Sequence, residues 1–192
     1  HQRPAESSGW KVAAQHWEAA NNLANYGLRT AKMLPWPVPR AATDVGRAVM
    51  GEDTVPRYNK HLPSGGRRRA ERTDPAADFV FFPACVNSMF GAVDSSGSPA
   101  EQSAGSSLMS VAHRAGLRWN TPEGIGSMCC GTPWKSKGFT EGYSVMSDRV
   151  LDGLWAASDG GRLPVVCDAS SCTEGLETMK AKVLDAAAAG PQ

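Results

Sequence analysis

Residues 79–85 read Phe-Val-Phe-Phe-Pro-Ala-Cys, an apolar run of four residues that stops at a proline and leads into a cysteine. A short, continuous apolar run between turn residues is typical of a strand that is buried on both faces. Residues 117–120 and 163–167 have the same character, and glycines or prolines lie beside them. The sequence therefore predicts three short strands.

Helical patterns separate and follow these strands. Residues 139–157 place Tyr143, Met146, Val150 and Leu154 at three- and four-residue steps, and residues 101–116 and 173–187 show similar spacing. An alternation of strands and helices is typical of parallel sheets. We predict an α/β fold with three layers, in which a small parallel sheet is flanked by helices and preceded by an N-terminal helical segment.

The first half of the chain has a different composition. An amphipathic pattern over residues 9–34 predicts a long helix that Ser7 or Ser8 caps, and residues 41–50 predict a shorter one. Proline, glycine and Arg67-Arg68-Arg69 then break any period, so this arginine run is expected in a solvated loop. The predicted organisation is a helical segment at 1–51, a linker or extended loop at 52–77, and a cysteine-rich α/β domain at 78–192.

Bulk composition excludes several classes of function. The 192 residues carry 20 Lys and Arg against 19 Asp and Glu, a balance that gives no reason to expect a nucleic-acid partner. No apolar run approaches the roughly 20 residues that span a bilayer. Five cysteines, an odd number, do not suit a secreted disulfide framework. We expect a cytoplasmic protein, either free or peripheral at the inner face of the membrane.

The cysteines follow the predicted strands. Cys85 comes after the first strand, Cys129 and Cys130 lie in the loop after the second, and Cys172 follows the third. Because ligands bind at the carboxyl edge of open parallel sheets, these four thiols are expected to converge there. Four thiolates suit an iron–sulfur cluster or zinc, and an adjacent pair is unusual for structural zinc. Cys167, inside the third strand, is expected to be a small core residue.

Other residues near the cysteine pair are candidates for contact with a bound group. Gly131 allows a close approach of the backbone. Lys137, like Lys135, either favours a negative charge nearby or is simply solvated on an exposed loop. Trp134 either shields a bound group from water or simply packs. Three histidines, His16, His61 and His113, have no partner at a ligand spacing, so they are not expected to bind metal.

Three segments carry a resemblance to a known family. These are Phe-Phe-Pro-Ala-Cys at 81–85, Met-Cys-Cys-Gly-Thr-Pro-Trp at 128–134 and Asp-Ala-Ser-Ser-Cys at 168–172. Together they resemble the cysteine-rich CCG domain that occurs in heterodisulfide reductase, in the glycolate oxidase iron–sulfur subunit and in anaerobic glycerol-3-phosphate dehydrogenase. With Lys-Ser-Lys-Gly at 135–138, the sequence is most similar to the C-terminal iron–sulfur region of large FAD-dependent D-lactate dehydrogenases.

The resemblance implies an iron–sulfur electron-transfer domain that is a fragment of a larger oxidoreductase. In that role Cys85, Cys129, Cys130 and Cys172 would bind a [4Fe–4S] cluster. FAD would lie in the parent protein outside this chain and oxidise D-lactate or another 2-hydroxy acid, so the fragment alone would not be catalytic. Its partners would be the flavin domain, further iron–sulfur units, and an acceptor such as a quinone or cytochrome. Ala169 replaces a fifth family cysteine, which argues against a noncubane cluster.

Two alternatives stay open at this point. The same thiols would also suit a structural zinc-binding module, or a metal-free docking module of a redox complex. The second alternative is a thiol–disulfide unit that uses Cys129 and Cys130, although adjacent cysteines rarely pair with each other.

Overall fold

The computed structural model describes residues 4–52, 55–93, 100 and 102–189. Its centre is a parallel sheet of three strands, β1 (Phe79–Phe82), β2 (Trp119–Asn120) and β3 (Val165–Cys167), in the order β2-β1-β3. Phe79 pairs with Trp119 on one side of β1, and Val80 pairs with Val165 on the other. The predicted three-layer α/β fold, a small parallel sheet flanked by helices, is confirmed.

The chain forms two compact units. The first combines His1–Ala20, Arg68–Cys85 and Ala104–Gln192, and the second combines Asn21–Arg67 and Val86–Ser103. Each unit therefore joins stretches that are distant in sequence. The predicted division into segments 1–51, 52–77 and 78–192 stays a prediction.

Helices surround the sheet in the first unit. They are α1 (Pro4–Gln15), the start of α2 (Trp17–Met33), α5 (Ala104–Arg114), α6 (Thr132–Lys135), α7 (Thr140–Ala157) and α8 (Ser170–Ala189), with a 3-10 turn at Ile125–Ser127. The predicted helices at 101–116, 139–157 and 173–187 match α5, α7 and α8 to within a few residues. Residue 101 lies outside the described residues.

The predicted helix over residues 9–34 is two helices rather than one. A turn at His16 separates α1 from α2, although the amide of His16 still donates to the carbonyl of Val12 at 3.0 Å. Ser7 and Ser8 lie inside α1, so neither is an N-cap. Pro4 is the first described residue of α1.

The core forms on both faces of β1. Phe79 and Phe81 pack with Ala112 of α5, and partly buried side chains complete this cluster. Val80 and Phe82 point to the opposite face, as successive residues of a strand do, and both are fully buried. The continuous apolar pattern of this strand thus arises from its central position in the sheet.

The second unit contains the rest of α2, α3 (Pro37–Met50) and α4 (Val86–Met89). The polar side of α3 contacts the segment that follows it, where the amide of Tyr58 donates to Thr43 Oγ1 at 3.0 Å. Asn25 of α2 donates to the carbonyl of Gly66 at 2.8 Å. No helix in the described ranges has both the length and the apolar character that crossing a bilayer requires.

Candidate metal centre

The carboxyl edge of the sheet brings four cysteines together. Cys85 follows β1, Cys129 and Cys130 follow the 3-10 turn after β2, and Cys172 lies in the first turn of α8 after β3. All four side chains are buried, with exposed fractions between 1% and 9%. None of the five cysteines, all of which are described, forms a disulfide.

The four thiols form a continuous line of contacts. The Sγ atoms of Cys85 and Cys129 are 3.4 Å apart. Cys129 and Cys172 are the neighbours that most affect the pKa of Cys130, and Cys130 Sγ is 3.3 Å from Thr132 Oγ1. The line therefore runs from Cys85 through the adjacent pair to Cys172. Cys167 is only partly buried, and its hydrogen-bond partner is Thr173.

The direction of the pKa shift alternates from one cysteine to the next along this line. Hydrogen bonds with Cys129 and Cys172 lower the pKa of Cys130 to about 2, and a hydrogen bond with Cys129 lowers the pKa of Cys85. The pKa of Cys129 is raised by its hydrogen bonds with Cys130 and Cys85 and then by burial. The pKa of Cys172 is raised by its hydrogen bond with Cys130 and by burial. Along the line, thiols with a lowered pKa therefore alternate with thiols with a raised pKa.

A carboxylate holds the loop that carries Cys85. The amide of Ala84 donates to Asp168 Oδ1 at 2.7 Å, which ties the end of β1 to the residue that follows β3. Sequence alone leaves the role of Asp168 open between a backbone contact and a contact with a partner. The structure gives it the backbone contact.

Close packing holds the loop of the cysteine pair. The amide of Cys129 donates to Met146 Sδ of α7 at 3.2 Å. Gly175 of α8 lies against Cys130, so that a Cβ at position 175 would come within 3.0 Å of the Cys130 Cβ and closer still to its carbonyl oxygen. Gly131 has a φ of +79°, and a Cβ there would meet Met179 and Tyr143 at 2.6 and 2.7 Å. Gly131 thus makes room for side chains of α7 and α8.

Arg69 is a site residue that the sequence did not indicate. Its guanidinium donates to the carbonyls of Pro83, Gly126 and Met128 at 3.2, 3.1 and 2.8 Å. The expected solvated arginine run is confirmed for Arg67 and Arg68, which are exposed, and is wrong for Arg69. No local pattern distinguishes the three arginines, because the carbonyls that bind Arg69 come from other parts of the chain.

Trp134 and Lys137 both contact Trp10 of α1. Trp134 is fully buried, and its Nε1 donates to the carbonyl of Trp10 at 2.7 Å. Its ring also meets the ring of Trp17 edge to face, with centroids 4.9 Å apart. Lys137 Nζ is 5.7 Å from the centroid of the Trp10 ring. These contacts agree with the packing alternative for Trp134.

Donor chemistry at the site fits a group bound by thiolates. Four soft sulfur ligands suit an iron–sulfur cluster or a thiophilic metal ion. Arg69 Nε is buried and has no hydrogen-bond acceptor among the described residues, and an anionic group would supply one. The described residues do not, however, arrange three His, Cys, Asp or Glu side chains as a single metal ion requires.

Comparison with protein families, with curated proteins and with solved structures found no match for this chain.

Proposed function

We propose that this chain is an iron–sulfur electron-transfer domain of the cysteine-rich CCG type. In this proposal Cys85, Cys129, Cys130 and Cys172 bind a [4Fe–4S] cluster. The line of thiol contacts at the carboxyl edge of the sheet is the observation that supports it most. Thiolates are the ordinary ligands of such clusters, and the carboxyl edge is the ordinary ligand site of a parallel sheet.

The wider role follows from the resemblance in sequence. The parent protein would be a cytoplasmic oxidoreductase similar to FAD-dependent D-lactate dehydrogenases, possessing a flavin domain and further iron–sulfur units. The flavin would oxidise D-lactate or a related 2-hydroxy acid, and a quinone or cytochrome would accept the electrons. Within that assembly this chain would transfer electrons and would not act on the substrate.

The residues of this chain would hold the cluster and control its surroundings. Bound there, a [4Fe–4S] cluster supplies one-electron transfer. The low exposure of the four thiols keeps water away, and burial is one of the factors that set the potential of such a group. Asp168, through Ala84, would hold Cys85, and Met146 would hold the amide of Cys129.

Anaerobic reconstitution of the 192-residue chain with ferrous iron and sulfide tests this function. We expect about four iron and four sulfide ions per chain, and a broad visible absorption that dithionite bleaches. Cys130→Ser should lose most of the bound iron, because Cys130 joins the two halves of the line of thiols. Cys167→Ser, outside that line, is the matched control and should keep it.

Three results would contradict the proposal. The first is a colourless protein that binds zinc tightly and takes up no iron with sulfide, which would favour the structural zinc module. The second is equal iron uptake by Cys130→Ser and the unmodified chain. The third is a Cys129–Cys130 disulfide, found by mass spectrometry under non-reducing conditions, that forms in place of metal binding; this would favour the thiol–disulfide unit.

A further inference from the structure

Arg69 brings a positive charge into the edge of the sheet where the thiols meet. The acceptors of its hydrogen bonds, the carbonyls of Pro83, Gly126 and Met128, are all neutral. Burial lowers the pKa of Arg69, but an arginine stays protonated at neutral pH. A buried cation is costly unless an anion balances it, so these carbonyls leave its charge uncompensated.

The groups that interact electrostatically with Arg69 are three of the four thiols and Asp168. Negative charge on Cys85, Cys129 or Cys172, in that order, and then on Asp168, would favour the protonated form of Arg69. Asp168 already accepts a hydrogen bond from the amide of Ala84. The charge of Arg69 is therefore matched chiefly to the cysteines.

One donor of Arg69 remains unused. The Nε atom is buried and finds no acceptor within the described part of the chain, whereas its two terminal nitrogens are both engaged. A buried N–H group on a charged side chain is rarely left without a partner in a folded protein. An acceptor bound at the site would remove this deficit.

We propose that Arg69 is the counter-cation of the four-thiol site: its charge stabilises the anionic centre that the cysteines form with a metal, and its Nε–H donates a hydrogen bond to that centre. Arg69 also joins the two loops that carry the ligands, because Pro83 precedes Cys85 and Met128 precedes Cys129. It is a positioning residue, since it acts on the metal through the thiolates. The inference rests on one part of the proposed function, which is that the four cysteines bind a metal.

The positive charge of Arg69 should raise the reduction potential of a cluster at this site. Reduction adds negative charge to a cluster, so a nearby cation stabilises the reduced form more than the oxidised form. Removal of the charge should therefore favour the oxidised cluster and lower its reduction potential. Burial of Arg69 limits screening by salt, so the effect should persist at physiological ionic strength.

Binding of Cd²⁺ to the metal-free chain under anaerobic conditions tests the inference separately from the iron–sulfur proposal. Cd²⁺ is a probe of thiolate sites, and its charge-transfer absorption gives the affinity by titration against a competing chelator. We expect Arg69→Met to weaken binding at least tenfold. Arg68→Met, a change at the adjacent exposed arginine, should alter it less than threefold, and Arg69→Lys, which keeps the charge, should fall between.

The reduction potential of the reconstituted cluster is the second measurement. For Arg69→Met we expect a change of about tenfold in the ratio of reduced to oxidised cluster at a fixed potential, which corresponds to about 59 mV downward for one electron. Arg69→Lys should keep most of the original potential, and Arg68→Met should keep all of it. A residue that only braced the loops would lower cluster content and leave the potential unchanged.

The outcomes separate the two proposals. If the unmodified chain binds Cd²⁺ but takes up no iron with sulfide, the proposed function fails, and the Cd²⁺ affinities still decide the role of Arg69. Equal Cd²⁺ affinity of Arg69→Met and Arg68→Met overturns that role. If circular dichroism shows that Arg69→Met does not fold, Arg69→Lys decides: binding within tenfold of the unmodified chain supports the inference, and a greater loss overturns it.

Discussion

The Sγ atoms of Cys85 and Cys129 lie 3.4 Å apart, although 44 positions separate them in the chain. Their strands explain this proximity. β1 and β2 are parallel neighbours, so the loops that leave their carboxyl ends emerge at one edge of the sheet. The contact therefore depends on strand order, and any change that displaces one loop should disturb the shared site.

Gly175→Ala should displace α8 from the cysteine pair. An alanine Cβ at this position would overlap the carbonyl oxygen of Cys130 and lie 3.0 Å from its Cβ, and both belong to a buried residue. Overpacking of this kind typically costs about 1–3 kcal/mol. We expect urea denaturation to show this loss in the free energy of unfolding, together with a lower metal content.

Gly9→Ala is the matched control for that change. Gly9 also lies within a helix, α1, and a Cβ there would have no neighbour within 4 Å. Alanine favours a helix over glycine by about 1 kcal/mol, so this variant should be as stable as the unmodified chain or more so. Equal stability of the two alanine variants would show that α8 does not need the close approach at Gly175.

Asp168→Ala should loosen the loop that carries Cys85. The change removes the acceptor of the Ala84 amide and leaves that donor unsatisfied beside a buried strand, at a cost of about 1–3 kcal/mol. Asp168→Asn keeps an oxygen that can accept the same bond and should lose less. Urea denaturation measures both effects.

A surface carboxylate provides the comparison for Asp168. Asp152 is exposed on α7, and its replacement by alanine should change the free energy of unfolding by less than about 0.5 kcal/mol. A loss in Asp168→Ala no larger than that in Asp152→Ala would mean that the Ala84 hydrogen bond does not hold the loop.

The strands and the cysteine edge were predictable from local pattern. The run of residues 79–82 is apolar at every position because β1 is the central strand, and this continuity is what predicts the strand. At the edge of the sheet the pattern is weaker. β3 begins at Val165, which is 41% exposed, rather than at residue 163. Cys167, expected in the core, is only partly buried.

Other features depend on contacts between residues that are distant in sequence, so the local sequence pattern does not predict them. Arg69 differs from Arg68 only in the carbonyls that surround it, which follow β1 and β2. In the sequence Gly175 cannot be distinguished from any other helical glycine, because its close approach to Cys130 arises only in the fold. Four-residue helices such as Val86–Met89 are too short to show a period.

Trp134→Phe should destabilise the fold through the N-terminal helix rather than through the thiols. The change removes the Nε1 hydrogen bond to Trp10 and leaves unfilled space beside Trp17, for a loss of about 2–4 kcal/mol. Trp155→Phe is the control, because Trp155 is 66% exposed and its replacement should cost little.

Metal content of the folded fraction separates the two roles considered for Trp134. A packing role leaves that content unchanged once the variant has folded, as judged by near-ultraviolet circular dichroism. Loss of metal from a Trp134→Phe variant of unchanged stability would instead favour the shielding role.

Cys167 should make the fold less stable at alkaline pH. Burial raises the pKa of Cys167 to about 11, against about 8.5 for an unperturbed thiol. The unfolded chain therefore releases this proton above pH about 8.5, while the folded chain retains it until pH about 11. The free energy of unfolding falls as pH rises through this window, because the unfolded state binds fewer protons there.

Urea denaturation at pH about 8 and about 10.5 measures this loss. Cys167 is in partial contact with water, so we expect a contribution of about 1 kcal/mol rather than the full value for a thiol sealed from solvent. In Cys167→Ala the thiol is absent, and the decline between the two pH values should be smaller by that amount. All other titratable groups are the same in both proteins, so the difference between the two declines isolates Cys167. An identical decline would mean that the folded state does not hold this proton more tightly than the unfolded chain.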